Sequence, residues 1–408
     1  MNRAEKYFVF CSSMPFIFFF IYFLILGFII SKSSFVVSTG ISKRTLWILY
    51  FIKIAAGCIA TYLILKLYPG NDYEVLSKEA FKEYSLLIKK PLDFFKDIVV
   101  SPYGHYDGFF SSENSFWNNL RNNILIKFTA ILNVFSGGNI YINTLFYNFL
   151  GFFGHIALFK IFINIYPDKK RRIITGSLLL PSLLFFSSTM QKDNIVFLLI
   201  ALFSYCLYFN KSRFITLLIL VVLFFIRSYV VIALIPAATA FIISRKRKFA
   251  FPVVYSCFLF LIFVFSFNEK LNPLKIIVNK QEAFLNLPEA KSAVSVYELQ
   301  PTIKSFLQGF PRAFYNVFFR PLPWQNKSLA GILLGLEWLF FSAILLFFIF
   351  RGRKIENPFA IYSLVFAVSV FFIIGYIVPN AGSIIRYKSI YLPFLILPAI
   401  CNINFKNI

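Results

Sequence analysis

Apolar runs about as long as a bilayer core is thick recur from one end of this chain to the other, beginning with Phe8 to Ile30 and Leu46 to Tyr68. As a helix, roughly 20 such residues cover a hydrocarbon layer about 30 Å deep. No water is available inside that layer to satisfy backbone N–H and C=O groups, so only helices or closed barrels can cross it. Barrel strands alternate polar and apolar residues, and runs such as Ile195 to Phe209 do not. The expected fold class is therefore all-α: a polytopic helical membrane protein, one integral membrane domain over 1–408, with about 11 transmembrane helices. With 59% of residues hydrophobic and 14% charged, a water-soluble globule is excluded.

The formal charge of +24, from 41 Lys+Arg against 17 Asp+Glu, would suggest nucleic acid in a soluble domain. Here the basic residues sit between apolar spans and the aromatic residues within them. That is the pattern of orientation signals and lipid headgroup contact, so the bilayer is an expected partner and nucleic acid is not. Lys169 to Arg172, Lys211 with Arg213, Arg245 to Lys248 and Arg351 to Lys354 fall at every second turn and mark the cytoplasmic side. The turns at Gln191 to Asn194, Arg227 to Tyr229, 268–327 and Pro379 to Arg386 are then external. Cys11, Cys58, Cys206, Cys257 and Cys401 lie in apolar segments without paired spacing, so no disulfide frame or zinc site is expected. His105 and His155 are too few and too far apart for a histidine-based metal site. Phe8 to Ile30 is longer than the core of a cleavable signal and reads as a retained span.

Two external segments, 69–121 and 268–327, carry too many charges or prolines to enter lipid. In the first, Tyr73, Leu76, Ala80, Tyr84 and Leu87 recur at helical spacing opposite Glu74, Lys78, Glu79, Lys82 and Glu83, which predicts a helix lying in the interface and ended by Pro91. Asn123 to Phe135, short for a full span and closed by Ser136-Gly137-Gly138-Asn139, reads as re-entrant or half-buried. This places the Asp72 segment outside.

Asp72 leaves a span just after Pro69-Gly70-Asn71. A carboxylate there can accept a proton from an attacking hydroxyl or hold a divalent metal, the one cofactor left open; the ordinary reading is an N-cap. Glu74 is its neighbour in the same turn, and Asp193 is a second external acid whose ordinary partner is Lys192. Lys192, Arg227, Arg320 and Arg386 stand at outer ends of spans, where phosphate suits guanidinium geometry; taken singly, each reads equally as headgroup snorkelling. Glu337, inside the apolar run Ile332 to Phe350, is either an organiser of a phosphate site or an ion ligand, or the partner of a boundary arginine such as Arg320. His155, beside Gly151 and Gly154, reads as packing. Trp324 and Tyr103 are placed to stack on a sugar or to anchor at the interface, and His105 lies in the same irregular stretch as Tyr103.

The order of these elements resembles the GT-C superfamily of polytopic glycosyltransferases. The resemblance is carried by the acid in the first external loop, a span with Pro181 ending in Ser187-Ser188-Thr189-Met190-Gln191-Lys192-Asp193, and Arg386-Tyr387-Lys388 near the last span. It implies a polyprenyl-phosphate-linked sugar donor, a glycan acceptor and a role in cell-surface polysaccharide or glycolipid synthesis. It also implies a bacterial inner membrane with the active face periplasmic, and catalytic acids at Asp72 and Asp193. The usual acidic pair is here Asp72-Tyr73-Glu74, with a residue interposed, and an extra span precedes the loop. A looser likeness, in Arg320 followed by Gly331, is to polymerases of the O-antigen type. A reading of another class is a transporter or flippase for lipid-linked glycans, which needs broken helices and acids at mid-membrane. With Asn71→Cys, an impermeant maleimide added to intact cells is expected to label the chain; labelling only after the membrane is opened would put this loop inside.

Overall fold

The computed structural model describes residues 14–68, 71–96, 116–247, 250–268, 270–286, 292–325 and 329–403. The principal helices are α1 (Met14–Lys32), α2 (Lys43–Leu67), α3 (Asp72–Lys89), α4 (Phe116–Ser136), α5 (Ile140–Ile165), α6 (Lys170–Leu178), α7 (Pro181–Ser187) and α8 (Lys192–Tyr208). They continue as α9 (Arg213–Ser244), α10 (Ala250–Ser266), α11 (Leu274–Leu285), α12 (Ile303–Phe318), α13 (Leu329–Arg351), α14 (Pro358–Ile377), α15 (Ala381–Ser389) and α16 (Leu392–Asn402). Among the described residues no strand forms, and one bridge joins Ala293 to Asn380. Among the described residues six helices are long and apolar enough to cross a membrane, or eight if the bent pairs α7–α8 and α15–α16 each count as one span. The expected all-α, polytopic character is met in these helices. The run before Ser188 contributes two short helices, α6 and α7, and α8 departs from α7 at 111°. The chain clusters into two compact units. One comprises the residues up to Lys160 with Leu184–Leu202; the other comprises Ile161–Leu183 with the residues from Phe203 onward.

In the first unit α2 and α5 run antiparallel. Tyr50 meets Phe152, Gly57 meets Asn148, and Thr61 bonds to Thr144 at 3.3 Å. The interfacial helix appears where the periodicity puts it. Asn71, not Asp72, is its N-cap, its Oδ1 accepting from Tyr73 N at 2.8 Å and Glu74 N at 3.1 Å. Tyr73 and Ala80 are its buried positions. α4 lies antiparallel along α3: Asn133 Nδ2 donates to Ala80 O, while Lys127 Nζ reaches Glu83 at 2.5 Å and Phe94 O at 2.7 Å. The segment 123–135 is thus half-buried, with Ile131, Val134 and Phe135 exposed. Gly137 and Gly138, both at positive φ, turn the chain directly into α5, whose first amides bond to Asn139 Oδ1. The Asp72 helix therefore sits at the start of α5, where Tyr73 Oη meets Thr144 Oγ1.

In the second unit α14, about 30 Å long at 20 residues, sets two ends apart. At its start Phe359 packs on Phe162, Tyr208 and Phe241. There also Arg172 Nη1 donates to Ile400 O and Ile403 O, and Arg353 N to Asn402 O. At its far end Val294 N donates to Pro379 O and Ala381 N to Ser292 O, and Gln281 Nε2 donates to Tyr376 O. The turns carrying the basic clusters share one end, and the segments 268–327 and 379–386 share the other, as the charge alternation predicted.

α9 fits this division only by folding back. A straight helix of its 32 residues would run about 48 Å. Yet Arg245, just past its end, donates to Leu207 O and Tyr208 O, the latter only five residues before its start, a reach of at most ~18 Å. The reversal is at Arg227, non-helical at φ −152° and ψ 77°. Single cysteines at Ser212 and Lys246 are accordingly expected to react with an impermeant maleimide from one side of the membrane and a cysteine at Lys270 from the other. Ser212 and Lys246 reacting from opposite sides would contradict the fold-back.

Candidate functional site

Two polar centres stand out, one in each unit, and each forms where a helix stops inside apolar surroundings. In the first unit the break after α7 is gathered by Lys53, a cation in the middle of α2 that is 2% exposed. Its Nζ donates to Ser187 O at 3.0 Å, Ser187 Oγ at 3.2 Å and Ser188 Oγ at 3.2 Å, so all three ammonium donors are matched. Ser187 Oγ also meets His155 Nε2 at 3.4 Å, and Asn148 Nδ2 donates to Ser188 O at 2.6 Å. His155 is buried against Phe197 as a packing residue would be, with a polar contact in addition. Gly57 lets this loop approach: a Cβ there would stand 2.5 Å from both Asn148 Nδ2 and Ser188 O.

Beyond the break, Met190 N donates to Tyr73 Oη at 3.3 Å, and Tyr73 Oη bonds to Thr144 at 2.6 Å and Thr61 at 2.9 Å. Burial raises the Tyr73 hydroxyl above the ordinary tyrosine range, against the opposing effect of its hydrogen bonds. The two predicted acids are thus near one end of this unit but in different settings. Asp72 is exposed on the first turn of α3, Asp193 is fully buried in the first turn of α8, and Lys192 beside it is half-buried. Glu74 is half-buried and lies 3.9 Å from Lys78. Among the described residues no three His, Cys, Asp or Glu side chains group as metal ligands. His105, Tyr103 and the Pro69-Gly70 turn lie outside the described residues.

The second unit brings three of the four predicted phosphate-binding cations to α15. Arg227, 4% exposed at the α9 reversal, places its Cζ 4.5 Å from the Tyr387 ring centre and 5.9 Å from that of Tyr229. Arg386 Cζ is 5.7 Å from the same Tyr387 ring, so two guanidinium groups share one aromatic side chain. Arg320 Cζ stands 5.3 Å from Tyr315, and its carbonyl accepts from Lys388 Nζ at 2.8 Å. Lys388 is 3% exposed and also donates to Val317 O at 2.8 Å. It is therefore an internal tie and not an external cation.

Glu337 does not pair with Arg320. Its carboxylate accepts from Ser182 N at 3.0 and 3.1 Å and from Ser182 Oγ at 3.1 Å, and its electrostatic partner is Lys388. The expectation of an Arg320 pair is corrected: α13 carries Glu337 to the start of α7 instead. Trp324 is 74% exposed in the turn Pro323–Gln325, a setting that fits an interfacial anchor.

Lys53 escaped the sequence reading, although a lysine in the apolar middle of a 25-residue helix, away from the basic residues at its ends, is itself a signal. Compared with protein-family models, with curated proteins and with solved structures, the chain matches none. Lys53→Met leaves Ser187 O buried without its donor and is expected to cost about 1–3 kcal/mol of stability. Chemical unfolding in detergent checks this, and an unchanged midpoint would show that the break holds without the ammonium.

Proposed function

We propose that the chain is a multi-pass membrane transferase that takes a lipid-phosphate-linked sugar, with the phosphate held at the α15 end of the second unit. The observation that carries this reading is the sharing of the Tyr387 ring by Arg227 and Arg386, with Arg320 tied to the same helix through Lys388. A guanidinium's planar fork of N–H donors matches an oxyanion better than an ammonium does. Their charge would stabilise the negative charge that builds on a departing lipid phosphate when an acceptor hydroxyl attacks the sugar. This end also carries the segments 268–327 and 379–386, the external ones by charge alternation. The proposed setting is a bacterial inner membrane, and the proposed product a cell-surface polysaccharide or glycolipid. Asp72, exposed on the interfacial helix, is the proposed base; Asp193, fully buried, is better suited to holding the start of α8.

A second reading, a transporter or flippase for the lipid-linked glycan, draws on the two bent helix pairs, at 111° and 59°, and on the buried Lys53 and Lys388 near their breaks. Flux into vesicles containing no donor lipid would favour it. For the transferase, Arg227→Ala and Arg386→Ala are each expected to lower glycan formation about 100-fold at normal expression. Full activity in both would end the phosphate assignment, and full activity of Asp72→Asn would remove that acid. The glycan of a deletion strain should lack sugars if the chain transfers them singly, and consist of unpolymerised single units if it is a polymerase.

A further inference from the structure

Glu337, half-buried inside α13, and Lys388, buried in α15, are charges within the apolar helices of the second unit. Each acts electrostatically on the other, yet no direct salt bridge joins them. A cavity of about 20 Å³ is lined by both, with Ser182, Trp338, Pro321 and Ser389. That is room for a single water, which needs polar partners to stay. The hydrogen-bonding capacity matches. Lys388 Nζ has three donors and gives two to Val317 O and Arg320 O, while Glu337 accepts only from Ser182.

We propose that a water in this cavity joins Glu337 and Lys388 into one buried ion pair, and that the pair makes Lys388 the positioning residue of the anion site. The inference rests on the phosphate reading given above. The end of α12 has its carbonyls taken up by two residues: Val317 O and Arg320 O by Lys388, and Phe318 O by Trp338 Nε1 at 2.9 Å. The Lys388 ammonium also stands over the Trp338 ring. Lys388 thus fixes the backbone of Arg320 through its side chain, while its chain neighbours Tyr387 and Arg386 carry the rest of the cation group. The pair is a joint between α13, the start of α7 and the arginine end. Removing one charge strands the other in a dry setting, whereas removing both does not.

The test uses the full chain in detergent, as Lys388→Met, Glu337→Gln and the double variant. Two readouts are taken: the unfolding temperature, and affinity for dodecyl phosphate, with inorganic phosphate as the probe lacking a lipid chain. Each single change should lower the unfolding temperature, and the double variant should lose clearly less than their sum. Lys388→Met should weaken dodecyl phosphate binding roughly tenfold, and the double variant should remain weak although its stability has returned. Additive losses in unfolding temperature would overturn the ion pair. Dodecyl phosphate affinity equal to that of the unsubstituted protein in the double variant would overturn the positioning role. If the unsubstituted protein binds neither phosphate probe, the phosphate reading fails and the positioning role with it, while the unfolding temperatures still decide the pair.

Discussion

A helix that stops within an apolar bundle leaves its last carbonyls without donors, and this chain answers that problem with lysine. Lys53 supplies the carbonyl of Ser187, and Lys388 supplies those of Val317 and Arg320. In hydrocarbon each unmatched carbonyl would cost several kcal/mol, so the breaks exist only because these ammonium groups reach them. A cation suits the carbonyl end of a helix for the further reason that the helix dipole is negative there. α7 shows both halves of the rule. Glu337 accepts from the amide of Ser182 at its start, and Lys53 donates to the carbonyl of Ser187 at its end. A helix only seven residues long gains little from its own internal bonds, and charged side chains from distant helices define where it begins and stops.

The same accounting explains the interfacial layer of the first unit. α3 has no strong apolar excess, and on its own would be held only by lipid headgroups. Lys127, Asn133 and Tyr73 tie it down instead, through an ion pair with Glu83, a bond to Ala80 O and a hydroxyl cluster with Thr61 and Thr144. These contacts are buried, so they resist screening by salt better than the surface pairs Lys78–Glu74 and Lys82–Glu79 do.

What could be read from the sequence was whatever depends on period or on charge placement. The amphipathic repeat from Tyr73 to Leu87 located α3, and the alternation of basic and uncharged turns told which connections of the second unit share an end. What could not be read was what apolar runs do internally. Ser187, Ser188 and Thr189 look like tolerable polar residues in a span, because a hydroxyl can bond back to its own helix; only the approach of Lys53 makes them a break. Arg227 was legible as a turn because a guanidinium at mid-span demands one. Glu337 was legible as important but not as to its partner, since Arg320 is nearer in sequence and Ser182 is nearer in space.

The division of labour between the two basic residue types follows from their shapes. An ammonium is compact, with three donors that fan out onto carbonyl and hydroxyl oxygens, and both buried lysines at the breaks are used in that way. A guanidinium is planar and lies on aromatic faces, and Arg227, Arg386 and Arg320 lie against Tyr387 and Tyr315. Lysine therefore closes the backbone of this fold, whereas arginine is mounted on side chains at one end of it. Stacking occupies the faces of a guanidinium but leaves its edge, and the edge is where an oxyanion binds. Any ligand that exploits the +24 charge of this chain without unravelling its broken helices has to meet the arginines and leave the lysines alone.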